Sequence, residues 1–182
     1  MQDDELIKRI RQGERALFGE LADKYYDDVY RYCYYQTGDQ HAAWDCSQET
    51  FCHLMRFLDS YTERGKFKAY LLRIALNVCR DYFRRNGRDD LPYADLSDTA
   101  SPEDSLYQPS SENQAVNAAL IQDALNALPE LQREAAVLFY YYGYKQREIA
   151  RITGAPLSTV KTRLRAGTER LREQLQRDGL WN

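Results

Sequence analysis

Apolar residues recur every three to four positions along most of this chain, a spacing that predicts helices where strict alternation would predict strands. Phe18, Leu21, Tyr25, Val29 and Tyr32 make one such stripe, Trp44, Phe51, Leu54 and Leu58 a second, and Phe67, Leu71, Ile74, Val78 and Tyr82 a third. A shorter helix over residues 3–12 precedes them and ends at Gly13, and Gly38-Asp39 and residues 62–65 supply the breaks. The periodicity fails over residues 87–117, which are rich in Asp, Ser and Pro and poor in aliphatics. It resumes with Leu131, Ala135, Leu138 and Tyr142, behind a Pro129-Glu130 pair suited to the first turn of a helix. The expected architecture is all-α, with two small helical domains, 1–86 and 118–182, joined by an acidic flexible linker over 87–117.

Within the second domain, residues 144–165 read as a helix-turn-helix. Ile149, Ala150 and Ile152 pack inward, Gly154 sits where a tight turn needs a permissive residue, Pro156 opens a second helix, and Val160 and Leu164 face the same core. Ser158, Thr159, Lys161, Thr162, Arg163 and Arg165 remain on the open sides of that helix. Arg and Lys can donate to guanine edges or phosphates, and Ser and Thr near a helix start can hold phosphates, so the mix suits a DNA groove. The alternative is a solvated helix of an ordinary αα-hairpin.

The net charge of −3 sits awkwardly with that reading until it is divided by segment. Residues 1–86 hold 14 basic and 14 acidic side chains, residues 87–117 hold 1 and 7, and residues 118–182 hold 10 and 7. The linker alone makes the protein acidic, and the second domain is basic by three charges.

A second basic surface emerges between residues 64 and 88, where eight basic residues and the single acid Asp81 interleave with aromatics. Lys66, Tyr70, Arg73, Asn77, Arg80 and Arg84 recur at alternating steps of four and three, which places them along one helix face. Cations can follow a phosphate backbone, an aromatic ring can stack on an unpaired base, and an Asn amide offers donor and acceptor to a base edge. Such a face suits single-stranded or opened DNA, although a solvated basic helix has the same pattern. On the preceding helix Asp45, Gln48, Glu49 and Cys52 form a partly acidic face that could dock a basic protein surface or simply be solvated.

Other chemistry is sparse. The two histidines are far from any Ser or Cys arrangement suggestive of a triad, and neither a Gly-rich phosphate loop nor a paired metal motif occurs, so an enzyme with a small-molecule substrate is not expected. Cys33, Cys46, Cys52 and Cys79 lack CxxC pairing and read as reduced thiols. A site gathering His41, Cys46, Cys52 and His53 matches no standard zinc spacing, so no metal or cofactor is expected. With 43% hydrophobic residues the domains can bury cores, no run of 18 apolar residues exists, and the first residues resemble no signal or transit peptide. A cytoplasmic location is expected.

Taken together, these segments resemble the extracytoplasmic-function (ECF) sigma factors of the sigma-70 family. DCSQETFCHLMRFLDSY is similar to the family's core-binding helix, FKAYLLRIALNVCRDYFRR to its promoter-melting segment, and ALPELQREAAVLFYYYGYKQREIARITGAPLSTVKTRLR to region 4. The resemblance implies a transcription initiation subunit that brings core RNA polymerase to a promoter, with a stand-alone helix-turn-helix regulator as the alternative. It implies that Asp45, Gln48, Glu49 and Phe51 belong to the helix meeting the clamp coiled coil of the largest polymerase subunit. It places Arg64, Lys66, Phe67, Tyr70, Arg73, Asn77, Arg80 and Arg84, with the 62–67 loop, where the family captures flipped minus-10 bases. It places Ser158, Thr159, Lys161, Thr162, Arg163 and Arg165 on the helix entering the major groove at minus 35, and it implies an anti-sigma factor as a further partner. The chain departs from the family in carrying Tyr70 where Trp is usual. It also reads Ala166-Gly167-Thr168 where Arg is common, which predicts fewer phosphate contacts there and a helix weakened by ~1 kcal/mol at Gly167.

Overall fold

The computed structural model describes residues 3–62, 65–87 and 114–180, with only the backbone at 114–116. The chain divides into two compact units, residues 1–88 and 89–182. Among the described residues all regular structure is helical, and no helix is long and apolar enough to cross a membrane.

The first unit holds α1 (Asp3–Arg11), α2 (Leu17–Thr37), α3 (Gln40–Phe57), a 3-10 turn (Leu58–Ser60) and α4 (Phe67–Arg85). α2, α3 and α4 pack on one another, and α1 lies on α2 and the 3-10 turn. Gly38 ends α2 in the left-handed region at φ 70°, and the Asp39 carboxylate then accepts the Ala42 N–H at 2.8 Å to start α3. A cap of this kind is worth ~1 kcal/mol. Cys33, Cys46 and Cys79 meet in this core from three helices, where hydrogen bonds that the Cys79 thiol donates to the other two sulfurs, together with burial, push it well up.

Two of the expected stripes are rotated. Trp44 is 54% exposed, and α3 turns Ala43, Cys46, Ser47, Thr50 and Leu54 inward instead. Ser47 donates to Ala43 O at 2.6 Å and Thr50 to Cys46 O at 2.7 Å, so both hydroxyls enter the core already satisfied. A hydropathy pattern scores them as polar and turns the helix the wrong way. In α4, Ile74 and Tyr82 are half-buried while Leu72, Ala75, Leu76, Cys79 and Phe83 join Phe67, Leu71 and Val78 inside. The inward face is thus turned by roughly 70° from the expected one, at about 100° per residue.

The second unit holds α5 (Gln114–Asn126), α6 (Glu130–Ala136), a π-helical turn (Val137–Tyr141), α7 (Gln146–Thr153) and α8 (Leu157–Arg177). α5 begins inside the stretch expected as linker; residues 88–113 of that stretch lie outside the described residues. α6 is buried nearly all round where a single Leu131/Ala135/Leu138 stripe was expected, because Gln132, Arg133 and Glu134 are enclosed as well. Arg133 uses its burial: Nη2 donates to Leu128 O at 2.8 Å and Asn126 O at 3.3 Å, closing carbonyls at the end of α5.

Gly154 ends α7 at φ 71°, as the helix-turn-helix reading requires, and a Cβ there would meet nothing within 4 Å. The constraint is conformational alone, so Gly154→Ala is expected to destabilise this unit by about 1 kcal/mol without altering its contacts. A chemical denaturation midpoint equal to that of the parent would contradict it.

Candidate nucleic-acid interface

The outer side of α4 is the best-defined polar surface of the first unit. Lys66, Asn77 and Arg84 are exposed, and Tyr70, Arg73 and Arg80 are half-buried, all on the side facing away from the rotated core. Because the core lies where it does, these residues are more nearly opposite it than the expected stripe would have made them. Tyr70 is held rather than loose: its hydroxyl donates to Phe57 O at 3.3 Å, its ring lies 5.0 Å from that of Tyr61, and the Arg73 guanidinium sits 5.4 Å from its centroid. Arg84 hydrogen-bonds to Asp81 one turn back. Phe67 does not share this surface. It is 2% exposed, wedged edge-on between Tyr25 and Tyr61, because it begins α4 on the side that closes against α2. Arg64 lies outside the described residues.

Sequence reasoning missed what holds the approach to α4. Arg11 Nη2 donates to both Leu58 O and Tyr61 O at 2.5 Å, and the Asp4 carboxylate accepts the Gly65 N–H at 3.4 Å. Lys66 N–H donates to the Tyr61 hydroxyl at 3.2 Å. The Arg11 and Asp4 bonds are contacts of α1, whose short charged sequence carries no motif that could have announced them.

On α3, Asp45 and Gln48 are exposed, and Glu49 is half-buried, with Arg85 Nη2 3.1 Å from one carboxylate oxygen and His53 Nε2 3.8 Å from the other. Phe51, expected beside them, turns inward: it is 9% exposed and stacked on Tyr26 at 6.2 Å. Trp44 and Met55, 54% and 61% exposed, take its place next to Gln48, giving that face an apolar centre. The signal was available, since Trp44 and Gln48 are four apart and share a helix face. Cys46 is buried and Cys52 exposed on that helix, and among the described residues no group of three or more His, Cys, Asp or Glu is placed to hold a metal ion.

On α8, Val160 and Leu164 are wholly buried. Ser158, Thr162 and Arg165 run along its outer side at steps of four and three, Thr159 and Arg163 lie on one shoulder, and Lys161 lies on the other. Thr162 donates back to Ser158 O at 3.1 Å. The helix continues unbroken through Ala166-Gly167-Thr168, and both Gly167 and Thr168 are buried. A Cβ on Gly167 would lie 3.4 Å from the Cβ and the carbonyl oxygen of Gln132, so this glycine lets α8 approach α6 closely. Thr168 Oγ1 lies 2.9 Å from the Tyr140 hydroxyl. At 167 and 168 the departure from the family pattern therefore serves packing and removes nothing from the outer surface.

Residues 21–89 match the family model for Sigma-70 region 2, and residues 118–171 match that for Sigma-70, region 4. The ECF RNA polymerase sigma factor SigW of Bacillus subtilis (strain 168) is 32% identical over 183 residues, covering 93% of this chain and 95% of that protein. This chain belongs to the ECF sigma factors of the sigma-70 family. It is also 36% identical over 164 residues to the ECF RNA polymerase sigma factor BldN of Streptomyces coelicolor, 87% of this sigma factor but only 60% of that relative's length. The solved structure of CnrH in complex with the cytosolic domain of CnrY superposes with a TM-score of 0.68 at 24% identity, covering 97% of this chain and 98% of that one, a likeness of fold. A sigma factor is a transcription initiation factor without catalytic activity: it binds core RNA polymerase and directs it to promoter DNA.

Proposed function

We propose that the three surfaces divide the task, with residues 1–86 serving polymerase and the minus-10 element and residues 118–182 serving the minus-35 element. The α3 face of Asp45, Gln48 and Glu49, centred on Trp44 and Met55, docks on the clamp coiled coil of the largest polymerase subunit. The outer side of α4, with Lys66, Tyr70, Arg73, Asn77, Arg80 and Arg84, holds the unstacked minus-10 strand, its cations on phosphates and Tyr70 and Asn77 toward bases. Ser158, Thr159, Lys161, Thr162, Arg163 and Arg165 of α8 enter the major groove at minus 35.

One observation carries this reading: Lys66, Tyr70, Arg73, Asn77, Arg80 and Arg84 stand together on the side opposite the buried face of α4, next to the Leu58 and Tyr61 carbonyls that the Arg11 side chain holds. A solvated helix has no need of that coincidence. Regulation by an anti-sigma factor, acting in the cytoplasm where polymerase works, is part of the proposal. In the structure of RpoE from Bartonella quintana, which has the same fold (TM-score 0.67, 23% identity), the sigma factor is bound to the anti-sigma factor NepR.

Run-off transcription with purified core polymerase tests the whole reading. A promoter selected from a random library is expected to start only when this protein is added, and a requirement for another sigma factor would refute it. Within that assay Arg165→Ala, on the outer line of α8, is expected to relax base preference in the minus-35 half by about 1–3 kcal/mol at one position. A loss spread evenly over all promoter sequences would reassign Arg165 to phosphate contact.

A further inference from the structure

The contacts of α1 lead to a residue role outside the three surfaces. Resting on the minus-10 reading of α4, we infer that Arg11 and Asp4 of α1 are positioning residues that fix the two flanks of the loop before α4, residues 61–62 and 65–66, for base recognition. The geometry is specific. Arg11 gathers the Leu58 and Tyr61 carbonyls on the departing side of the loop, while Asp4, two turns earlier on the same helix, holds the Gly65 N–H on the returning side. Tyr61, 5% exposed, forms the floor between them and accepts the Lys66 N–H, tying one side to the other.

α1 is itself held firmly enough to act as a support. Leu6, Ile7 and Ile10 are buried, and Asp3 accepts the Tyr25 hydroxyl at 2.6 Å and Lys24 Nζ at 2.5 Å. Burial opposes ionisation of Asp3, yet those two hydrogen bonds hold its carboxyl below the ordinary range, while burial and the bond to Asp3 push the Tyr25 hydroxyl up. The Tyr25 ring meets Phe67 at 5.3 Å, and Phe67 meets Tyr61 at 5.5 Å, so α1 reaches the loop a second time through the aromatic floor.

The Arg11 and Asp4 contacts are partly solvated, and water can replace either partner, so their net worth to folding is small. Their worth to recognition is larger. A loop whose flanks have to be ordered at the moment of binding selects a base less well, whereas phosphate contacts from neighbouring cations survive. Arg11 and Asp4 thus set base discrimination with little effect on fold stability or polymerase binding.

The test uses the full-length protein assembled with core polymerase and a single-stranded minus-10 oligonucleotide, chosen by selection with the parent holoenzyme, with each position varied in turn. Arg11→Ala and Asp4→Ala are each expected to lower discrimination at a captured base about tenfold, with polymerase binding and melting temperature close to the parent's. Asp4→Asn, which keeps an oxygen acceptor for Gly65 N–H, is expected to retain discrimination, a rescue that a purely structural charge effect would not produce. Should Arg11→Ala fail to fold, Asp4→Ala, at an exposed contact, decides the question alone. Asn77→Ala run alongside separates the layers of inference. Lost discrimination in Asn77→Ala with parental discrimination in the α1 variants overturns the support role alone, while parental discrimination in all of them overturns the minus-10 reading and this one together.

Discussion

Asn77→Ala is expected to give a protein that binds polymerase normally and cannot hold a promoter open. The side chain is exposed on the face of α4 opposite the core, so its removal forfeits no packing and should change stability by no more than about 0.5 kcal/mol. Its amide can donate to and accept from a base edge through separate atoms, whereas the Tyr70 hydroxyl in the same row already donates to Phe57 O. Unstacking and unpairing a base costs a few kcal/mol, and a good bidentate contact returns roughly 1–3 kcal/mol of it. Losing that return lowers the open fraction by about ten- to a hundredfold. Permanganate reactivity of thymines near the start site reads the open state directly, and reactivity equal to the parent's would remove Asn77 from the mechanism.

Trp44→Ala should act on a different step and about as severely. At 54% exposure the indole contributes little to the folded unit, so the melting temperature should hold. A large aromatic beside Gln48 and Met55 is the kind of anchor that dominates a protein interface, where its truncation commonly costs 2 kcal/mol or more. Core polymerase should therefore bind roughly thirtyfold or more weakly. Competition against the parent protein for a limiting amount of polymerase measures this. Equal competition would show that α3 does not present its outer face to polymerase, leaving the promoter-binding surfaces untouched.

Both variants illustrate how legible the sites were. The α4 row of Lys66, Tyr70, Arg73, Asn77, Arg80 and Arg84 could be read from spacing because charged and aromatic side chains at steps of three and four have only one face to share. Trp44, expected on the same inward stripe as Phe51, parts from it for the opposite reason. An aromatic residue suits a core or an interface equally well, and hydropathy does not separate the two. What decided between them was the burial of Ser47 and Thr50, whose hydroxyls bond to carbonyls of their own helix. Gly167 is a similar case. As sequence it reads as a weak point in the recognition helix, and its purpose becomes visible only beside Gln132 of α6.

The all-α class, the helix-turn-helix with its left-handed glycine, the acidity of residues 87–117 and the family were legible from the order of the residues alone. All of these depend on residues close in the chain or on composition, where periodicity, backbone preference and charge act locally. Which apolar side chains are left outside, and how α1 reaches across to the residues before α4, became visible only in the folded units. Those outcomes depend on pairs of groups distant in sequence: Arg11 finds its carbonyls 47 and 50 residues away, at a geometry that no spacing along one helix encodes.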